Sequence, residues 1–467
     1  MAMKREYGKE QPGIRLGMFV LRIPFVHYRI ELPELFQAIL MCATCLGAIP
    51  VITEQLGMPF EIAWGMVIIN GFLYTLHATW GDPVVPGWIT PSIPLTIGFL
   101  ATAPMGPERI RLMCALQLMV AAIFIIMGIT GIANKLLAIV PASIKSGILM
   151  GAGFAAVFGE FAPGKRIEKL PITILIGALV AFFCLFSQVF SAWRKKSKFW
   201  DTIGGLGMLP SLIVCIIVGV ISKEIIYTEF KVLPILYTPD FKGIWNSMSP
   251  FVLGWPTGAM FLKAIPQAVV TYIIAFGDFV TSEALLHEAD IIRQDEKIVF
   301  DANRSNIISG VRNAIEGVVC PYPTLCGPLW AAVTASVSQR YKDGRDKMDS
   351  IYSGVGTFRW MTFISVSVTA IVSFVHPILP TALSLTLLVQ GFICVRLAID
   401  LCENDTDKGL AGVMGGVILA RGAAWGLAVG IVLYIALYSR TMMKEERRKN
   451  LEESLKEEEL NEKAQVE

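Results

Sequence analysis

Charge is what this chain has least of. Charged residues fill 17% of its 467 positions against 54% for hydrophobic ones, and the mean hydropathy is +0.60. A soluble globular domain carries about a quarter charged residues, so this balance excludes one and points to a polytopic membrane protein. Histidine is scarcer still, and His27, His77, His287 and His376 are too dispersed to suggest a metal centre. Most of the nine cysteines (Cys42, Cys45, Cys114, Cys184, Cys215 and Cys394 among them) fall inside apolar runs, where a free thiol behaves as a small hydrophobe. Neither a disulfide framework nor a zinc spacing is present. No nucleophile–base or metal constellation stands out, so neither an enzyme nor a cofactor is expected. The net charge of +2 gives no sign of a nucleic-acid partner, because the basic residues sit in short loops and tails. A cleavable signal peptide is not expected, since the chain opens on polar residues and its first apolar run is long enough to span.

Long apolar runs are what the chain has in abundance. They cover Pro33–Ile52, Phe60–Leu76, Leu112–Ile129, Ile144–Phe161, Ile172–Phe190, Leu206–Ile221, Phe261–Leu286, Phe358–Val375, Leu379–Ile399 and Gly409–Tyr438. Each approaches or exceeds the roughly 20 residues a spanning helix needs, the last suffices for two short spans, and about twelve to fourteen crossings follow. Basic residues concentrate at Lys4, Arg5 and Lys9, at Arg194–Lys198, at Arg340–Lys347 and in the tail from Arg440. If these face the cytoplasm, both termini do, and the number of crossings is even. The loop with Lys165, Arg166 and Lys169 would then be external, against the trend.

The run Phe261–Leu286 holds a carboxylate, Asp278, well inside it and next to Gly277. Intramembrane carboxylates are expensive and usually mark ion pathways. Asp278 is therefore expected to take up H+ or help hold Na+, the competing role being a structural hydrogen-bond acceptor. The chain also echoes itself. Gln37-Ala38-Ile39 leads to Gly47 as Gln267-Ala268-Val269 leads to Gly277, at an offset of 230 residues. Pro91-Ser92-Ile93-Pro94 is echoed from Pro323 to Pro328, at an offset of 232. Pro141 and Pro380 open runs that reach Gly153-Phe154 and Gly391-Phe392, at an offset of 239. Three echoes in order suggest a duplicated architecture, and duplicated breaks point to a secondary transporter.

Pro83, Pro86, Pro91 and Pro94 forbid a continuous helix between them. Val84–Ile89 reads as extended backbone, followed by a short helix near Pro91 with Thr90 or Ser92 as its cap. Cys320–Trp330 repeats that pattern, and the second short helix is expected to start near Thr324. Two helix starts converging at one point offer free N–H groups and about half a positive charge each, which suits an anion or a strongly polar acceptor. Ahead of these, Gly13–Arg22 mixes arginine with bulky apolar groups and is expected to lie along the membrane surface. The expected divisions are an interfacial N-terminus (1–30), a first repeat (31–222), an external connection (223–260), a second repeat (261–439) and a charged cytoplasmic tail (440–467).

Several of these stretches resemble a known family. Gly277-Asp278-Phe279 resembles the Gly-Asp-Tyr step on the eighth helix of nucleobase-ascorbate transporters (xanthine/uracil permeases). Gln37 through Pro50 resembles their first helix, with Ala38 in place of a histidine. Val140 through Gly153 is similar to their proline-led fifth helix, a pattern shared with sulphate permeases, and Gly317 through Pro328 to the turn into their broken tenth helix. The resemblance implies an all-α polytopic membrane protein of about 14 segments in two inverted repeats of seven, with third and tenth helices broken by short extended stretches. Solute would lie between those half-helices, in a core domain facing a gate domain. Where nucleobase carriers place an acidic residue and a Glu or Gln, this chain has Ile274 and Cys326, so ordinary nucleobase binding is not expected. The expected solute-binding residues are Gln37, Thr90, Ser92, Phe276, Asp278, Thr324 and Cys326, with Asp278 also coupling the ion. The expected activity is secondary transport of a small polar or anionic solute with H+ or Na+. The alternatives are an uncoupled anion channel or exchanger of the sulphate permease type, or a conventional xanthine/uracil permease. Expected partners are the solute, H+ or Na+, membrane lipid and a second copy of the chain, without nucleic acid, in the cell (inner or plasma) membrane.

Overall fold

The computed structural model describes residues 5–132, 140–205, 208–227 and 230–439, together with residue 448. The charged tail from 440 therefore falls outside the described residues apart from Arg448. The molecule is a helical membrane protein. Leu32–Leu56, Phe60–Thr79, Pro107–Thr130, Ala142–Lys169, Gly258–Ile292 and Thr369–Asp400 are long and apolar enough to cross a bilayer, and the bent pair Pro171–Phe186 and Gln188–Lys196 makes a seventh candidate. Thr90–Leu100, Pro210–Ile221 and Ala423–Leu437 are apolar but shorter.

The same order of elements occurs twice. Leu32–Leu56, Phe60–Thr79, a two-residue strand and the short helix Ile93–Leu100 open the chain's first half. Gly258–Ile292, Ala302–Val319, a two-residue strand and the short helix Ala331–Lys342 open the second. Helices from both halves mix to form two bundles. In one, Pro107–Thr130 packs on Ala302–Val319 and Gly258–Ile292, and Ile351–Ser365 packs on Leu32–Leu46 and Phe60–Thr79. In the other, Ala142–Phe161 packs on Asp405–Arg421 and Leu379–Asp400, and Pro171–Phe186 packs on Leu209–Ile221. Small residues let these helices touch, which is how helices associate where lipid removes the hydrophobic drive between them. A Cβ at Gly153 would lie 2.9 Å from the Gly391 carbonyl, and one at Gly391 would lie 3.1 Å from that of Gly153. The two glycines matched in the sequence echo thus face each other at one helix crossing. In the first bundle Gly128 is pressed on Asn303 and Ile307, and Gly310 on Ala121 and Ile125.

Two expectations about local structure need correction. The run Phe358–Val375 is not one span. The helix Ile351–Ser365 ends there and a new one starts at Thr369. The carbonyls freed at the break are taken by Trp64, whose Nε1 donates to Val366 at 2.7 Å, and by the Tyr237 N–H, which donates to Ser367 at 2.8 Å. Ile172–Phe190 breaks at Ser187, whose Oγ accepts from the Phe190 N–H and caps a new helix bent by 59°. The connection 223–260 carries the helix Phe241–Met248, capped by Asp240, and pairs Leu236 with Val368. Gly13–Arg22 forms a hairpin of β1 (Ile14–Leu16) and β2 (Phe19–Leu21), turned by Gly17 at a φ of 65°.

Polar contacts hold that N-terminal segment. Arg22 stacks on the Tyr352 ring and pairs with Glu10 at 2.8 Å. Arg5 donates to Asp295 at 2.7 Å and lies 3.4 Å from Glu296, whose carboxylate also accepts from Ser350 Oγ at 2.6 Å and the Ile351 N–H. Burial outweighs the attraction of Arg5 and pushes the Glu296 carboxyl up to about 6. A carboxylate whose folded pKa is raised stabilises the fold most below its unfolded value, about 4.5, and loses that contribution as pH rises through about 6. Glu296→Gln, which keeps the neutral form, is therefore expected to melt at or above the wild-type temperature at pH 7.5. Its advantage should vanish near pH 4. Thermal unfolding across pH checks this, and a variant less stable at pH 7.5 than at pH 4, relative to wild type, would refute it.

Candidate functional site

The prolines at 83, 86, 91 and 94 keep the first break out of the helical state, and the second break answers it. The strands β3 (Gly87–Trp88) and β4 (Cys326–Gly327) pair antiparallel, Gly87 opposite Gly327 and Trp88 opposite Cys326. The Ile89 N–H donates to Leu325, and the Trp330 N–H donates to Val85 at 2.6 Å. Glycine is required at this crossing, because a Cβ on Gly87 would fall 2.6 Å from the Leu329 carbonyl oxygen. Extended backbone inside a membrane protein is tolerated where its polar groups are paired in this way.

The expected helix starts shift accordingly. A 3-10 turn, Thr90–Ser92, precedes the helix Ile93–Leu100, and neither Thr90 nor Ser92 caps it with a side chain. The second helix starts at Ala331, not near Thr324, because residues 325–330 are spent in pairing with 85–89. The two starts thus flank the strand pair at its ends. Thr324 is fully buried in the turn before β4, and its Oγ1 has no partner among the described residues.

The structure gathers some of the expected residues and separates others. Ser92 is buried, and its Oγ shares a hydrogen bond of 2.7 Å with Thr271 Oγ1, with Gln267 Nε2 close to both. Asp278 lies seven residues beyond Thr271 on the same helix face, about 10 Å along the axis. It is half-buried within electrostatic reach of Cys394 of the opposite bundle, and no hydrogen bond or ion pair reaches its carboxylate among the described residues. Phe276 is half-buried against Phe279. Gln37 stands apart and donates to Ser336 Oγ at 3.2 Å. Arg396 and Asp400 form an exposed pair at 3.7 Å, outside any site. A small cleft opens between the bundles, with Thr44, Gly47 and Trp88 on one wall and Leu212, Leu383 and Thr386 on the other.

The densest polar cluster was not foreseen. It is built on the helix Ala302–Val319, directly behind the strand crossing. Glu316 is fully buried and accepts from Asn70 Nδ2 at 2.5 Å, Gln117 Nε2 at 2.9 Å and the Cys326 thiol at 3.1 Å. Asn313 grips the Cys326 backbone from both sides, its Oδ1 accepting from the N–H at 3.0 Å and its Nδ2 donating to the carbonyl at 2.8 Å. Cys326, at a position where a carboxylate or amide was thought missing, thus has a carboxylate brought to it by the neighbouring helix. Arg312 Nη1 donates to the Gly327 carbonyl at 3.0 Å and to His77 Nε2 at 3.1 Å. That bond leaves the proton on His77 Nδ1, which lies 2.7 Å from Asp82 Oδ2. The signal was present as Arg312, Asn313 and Glu316 within an otherwise apolar stretch, since ionisable groups inside a span mark function by default.

No family model matches this sequence, and no curated protein matches it. Solved structures do. The transmembrane domain of a cyanobacterium bicarbonate transporter, BicA, superposes with a TM-score of 0.51 at 13% identity over 89% of this chain and 100% of that one. The overall structure of SLC26A9 gives 0.50 at 13% identity over 88% of this chain and 66% of that one. A murine Slc26a9 anion transporter in the inward-facing state gives 0.47 at 13% identity over 87% of this chain and 68% of that one. At such identity the likeness is one of fold, a polytopic helical membrane fold that this chain shares with those transporters.

Proposed function

We propose that this protein is a secondary transporter that carries a small anionic solute through the cleft between its two bundles, coupled to H+ or Na+ through Asp278. The observation that carries the proposal is the strand crossing: two broken helices meet antiparallel behind a cleft, with buried donors at their backs. Transport folds place solute at such breaks. The neighbouring structures favour the sulphate permease branch of the resemblance over the nucleobase branch. In this reading the element order forms two inverted repeats of seven segments, the bundles move against one another, both termini are cytoplasmic, and the protein works in the cell membrane as a homodimer. Ser92, Thr271 and Gln267 offer hydroxyl and amide groups to solute, and the dipoles at Thr90 and Ala331 favour its negative charge.

Purified protein in liposomes, assayed for uptake of labelled bicarbonate, chloride, sulphate, uracil and xanthine, tests this. Saturable uptake of at least one inorganic anion, faster with an inward H+ or Na+ gradient, is expected. Uptake indifferent to both gradients would replace the coupled mechanism by an uncoupled anion pathway. Tight, saturable uptake of uracil or xanthine alone would overturn the solute class.

A further inference from the structure

Behind the strand crossing lies a second feature that the transport reading does not use. Arg359, in the middle of the helix Ile351–Ser365, is fully buried, with its guanidinium 4.2 Å from the centre of the Tyr74 ring and 5.2 Å from that of Trp330. Trp330 immediately precedes the helix Ala331–Lys342. None of the three Arg359 guanidinium nitrogens has an oxygen or nitrogen acceptor among the described residues, and the Cys45 thiol, a weak acceptor, faces them. The Cys45 thiol, the Tyr74 phenol, His77 and a second guanidinium, that of Arg312, lie within electrostatic reach of Arg359, and no ion pair joins it to a carboxylate among the described residues.

Arg312 stacks on the same ring, 4.4 Å from its centre, and its Nε and Nη2 are also without partners. The buried hydroxyl of Tyr322, which neighbours Tyr74 and Cys45, has none either. Of the two nearby carboxylates, Glu316 is bonded to Asn70, Gln117 and Cys326, and Asp82 meets His77 through Oδ2 while its Oδ1 has no partner among the described residues; neither is bonded to Arg359. Ring faces offset only part of the cost of a buried cation. They supply no acceptor for the five N–H groups of a guanidinium, and leaving such groups unpaired is costly.

We propose that Arg359, with Arg312 and Tyr322, forms a buried site for one compact inorganic anion, of the halide, nitrate or bicarbonate class, beside the Tyr74 and Trp330 rings. A small anion suits it because the guanidinium is fully buried and close to both rings. It lies on the far side of the helix Leu32–Leu46 from the cleft, since Cys45 faces Arg359 whereas Thr44 and Gly47 line the cleft. The inference deepens the anionic-solute reading, yet it is read out by stability, so a failure of transport would leave it standing.

The experiment uses the full chain purified in detergent in chloride-free gluconate buffer, with thermal unfolding followed by intrinsic fluorescence. Chloride, nitrate or bicarbonate is then titrated in. Wild type is expected to show a saturable rise in melting temperature, because a ligand held by the folded state alone stabilises it by mass action. Arg359→Met is expected to lose that rise and, in gluconate, to melt no lower than wild type, since it removes an unpaired buried charge. Arg359→Lys, which keeps the charge but not the fork, should retain the rise with its midpoint at higher anion concentration. No saturable rise in wild type would overturn the proposal. So would an equal rise in Arg359→Met, or, should that variant fail to fold, a midpoint in Arg359→Lys identical to that of wild type.

Discussion

Glu316→Ala is expected to destabilise the protein by about 3–5 kcal/mol, the range found when one partner of a buried charged network is removed. Three donors converge on this one carboxylate from three places in the chain: Asn70 on the helix Phe60–Thr79, Gln117 on Pro107–Thr130, and the thiol of Cys326 in β4. The truncation would strand all three in the buried interior, and it would remove a carboxylate that lies within electrostatic reach of Arg312. Glu316→Gln keeps the volume and one acceptor, but it turns a second acceptor into a donor facing donors. It should fall between alanine and wild type. Thermal unfolding of the purified variants, with the folded fraction recovered by size exclusion, measures the order. An alanine variant that melts with wild type would mean that the cluster is not what fixes β4 in place.

That cluster also shows how far the sequence could be read. The membrane class, the duplicated breaks and the extended stretch before Pro91 follow from composition and from proline, because both act locally. The second break was legible only as a pattern. Where its helix starts depends on how many residues β4 spends on β3, a pairing between segments some 240 residues apart that no local rule sets. The break at Val366–Val368 went unseen for a similar reason, since Trp64 and the segment 235–237 stabilise it from elsewhere in the chain.

The candidate site divides along the same line. Ser92 was found because a hydroxyl beside prolines at a helix break carries its own meaning, although it bonds Thr271 across the bundle and caps nothing. Gln37 was singled out by its place in the echo, and the structure turns it toward Ser336. Cys326 was read as a lost carboxylate. Side-chain identity at one position does not reveal that a neighbouring helix delivers Glu316 to the same place.

Asp278→Asn is expected to fold, to keep solute binding and exchange, and to lose accumulation driven by an ion gradient. Three observations lead there. The carboxylate is half-buried with no hydrogen bond or ion pair among the described residues, so it pins no element in place and its removal breaks no network. It lies on the same helix face as Thr271 and Gln267, which meet Ser92 at the first broken helix, so an ion held there is linked to the solute region through one rigid helix. It also lies within electrostatic reach of Cys394 of the opposite bundle, so relative movement of the bundles changes its surroundings, and a group whose surroundings alternate can alternate between holding and releasing a proton or Na+. Asparagine keeps the shape and removes the charge that either ion requires. Uptake by proteoliposomes with and without an imposed H+ or Na+ gradient, set against counterflow of the same solute, separates the two activities. Counterflow at the wild-type rate with accumulation reduced at least tenfold is the expected result. Accumulation equal to wild type would show that Asp278 does not couple the ion, and loss of counterflow as well would make it part of the solute site itself.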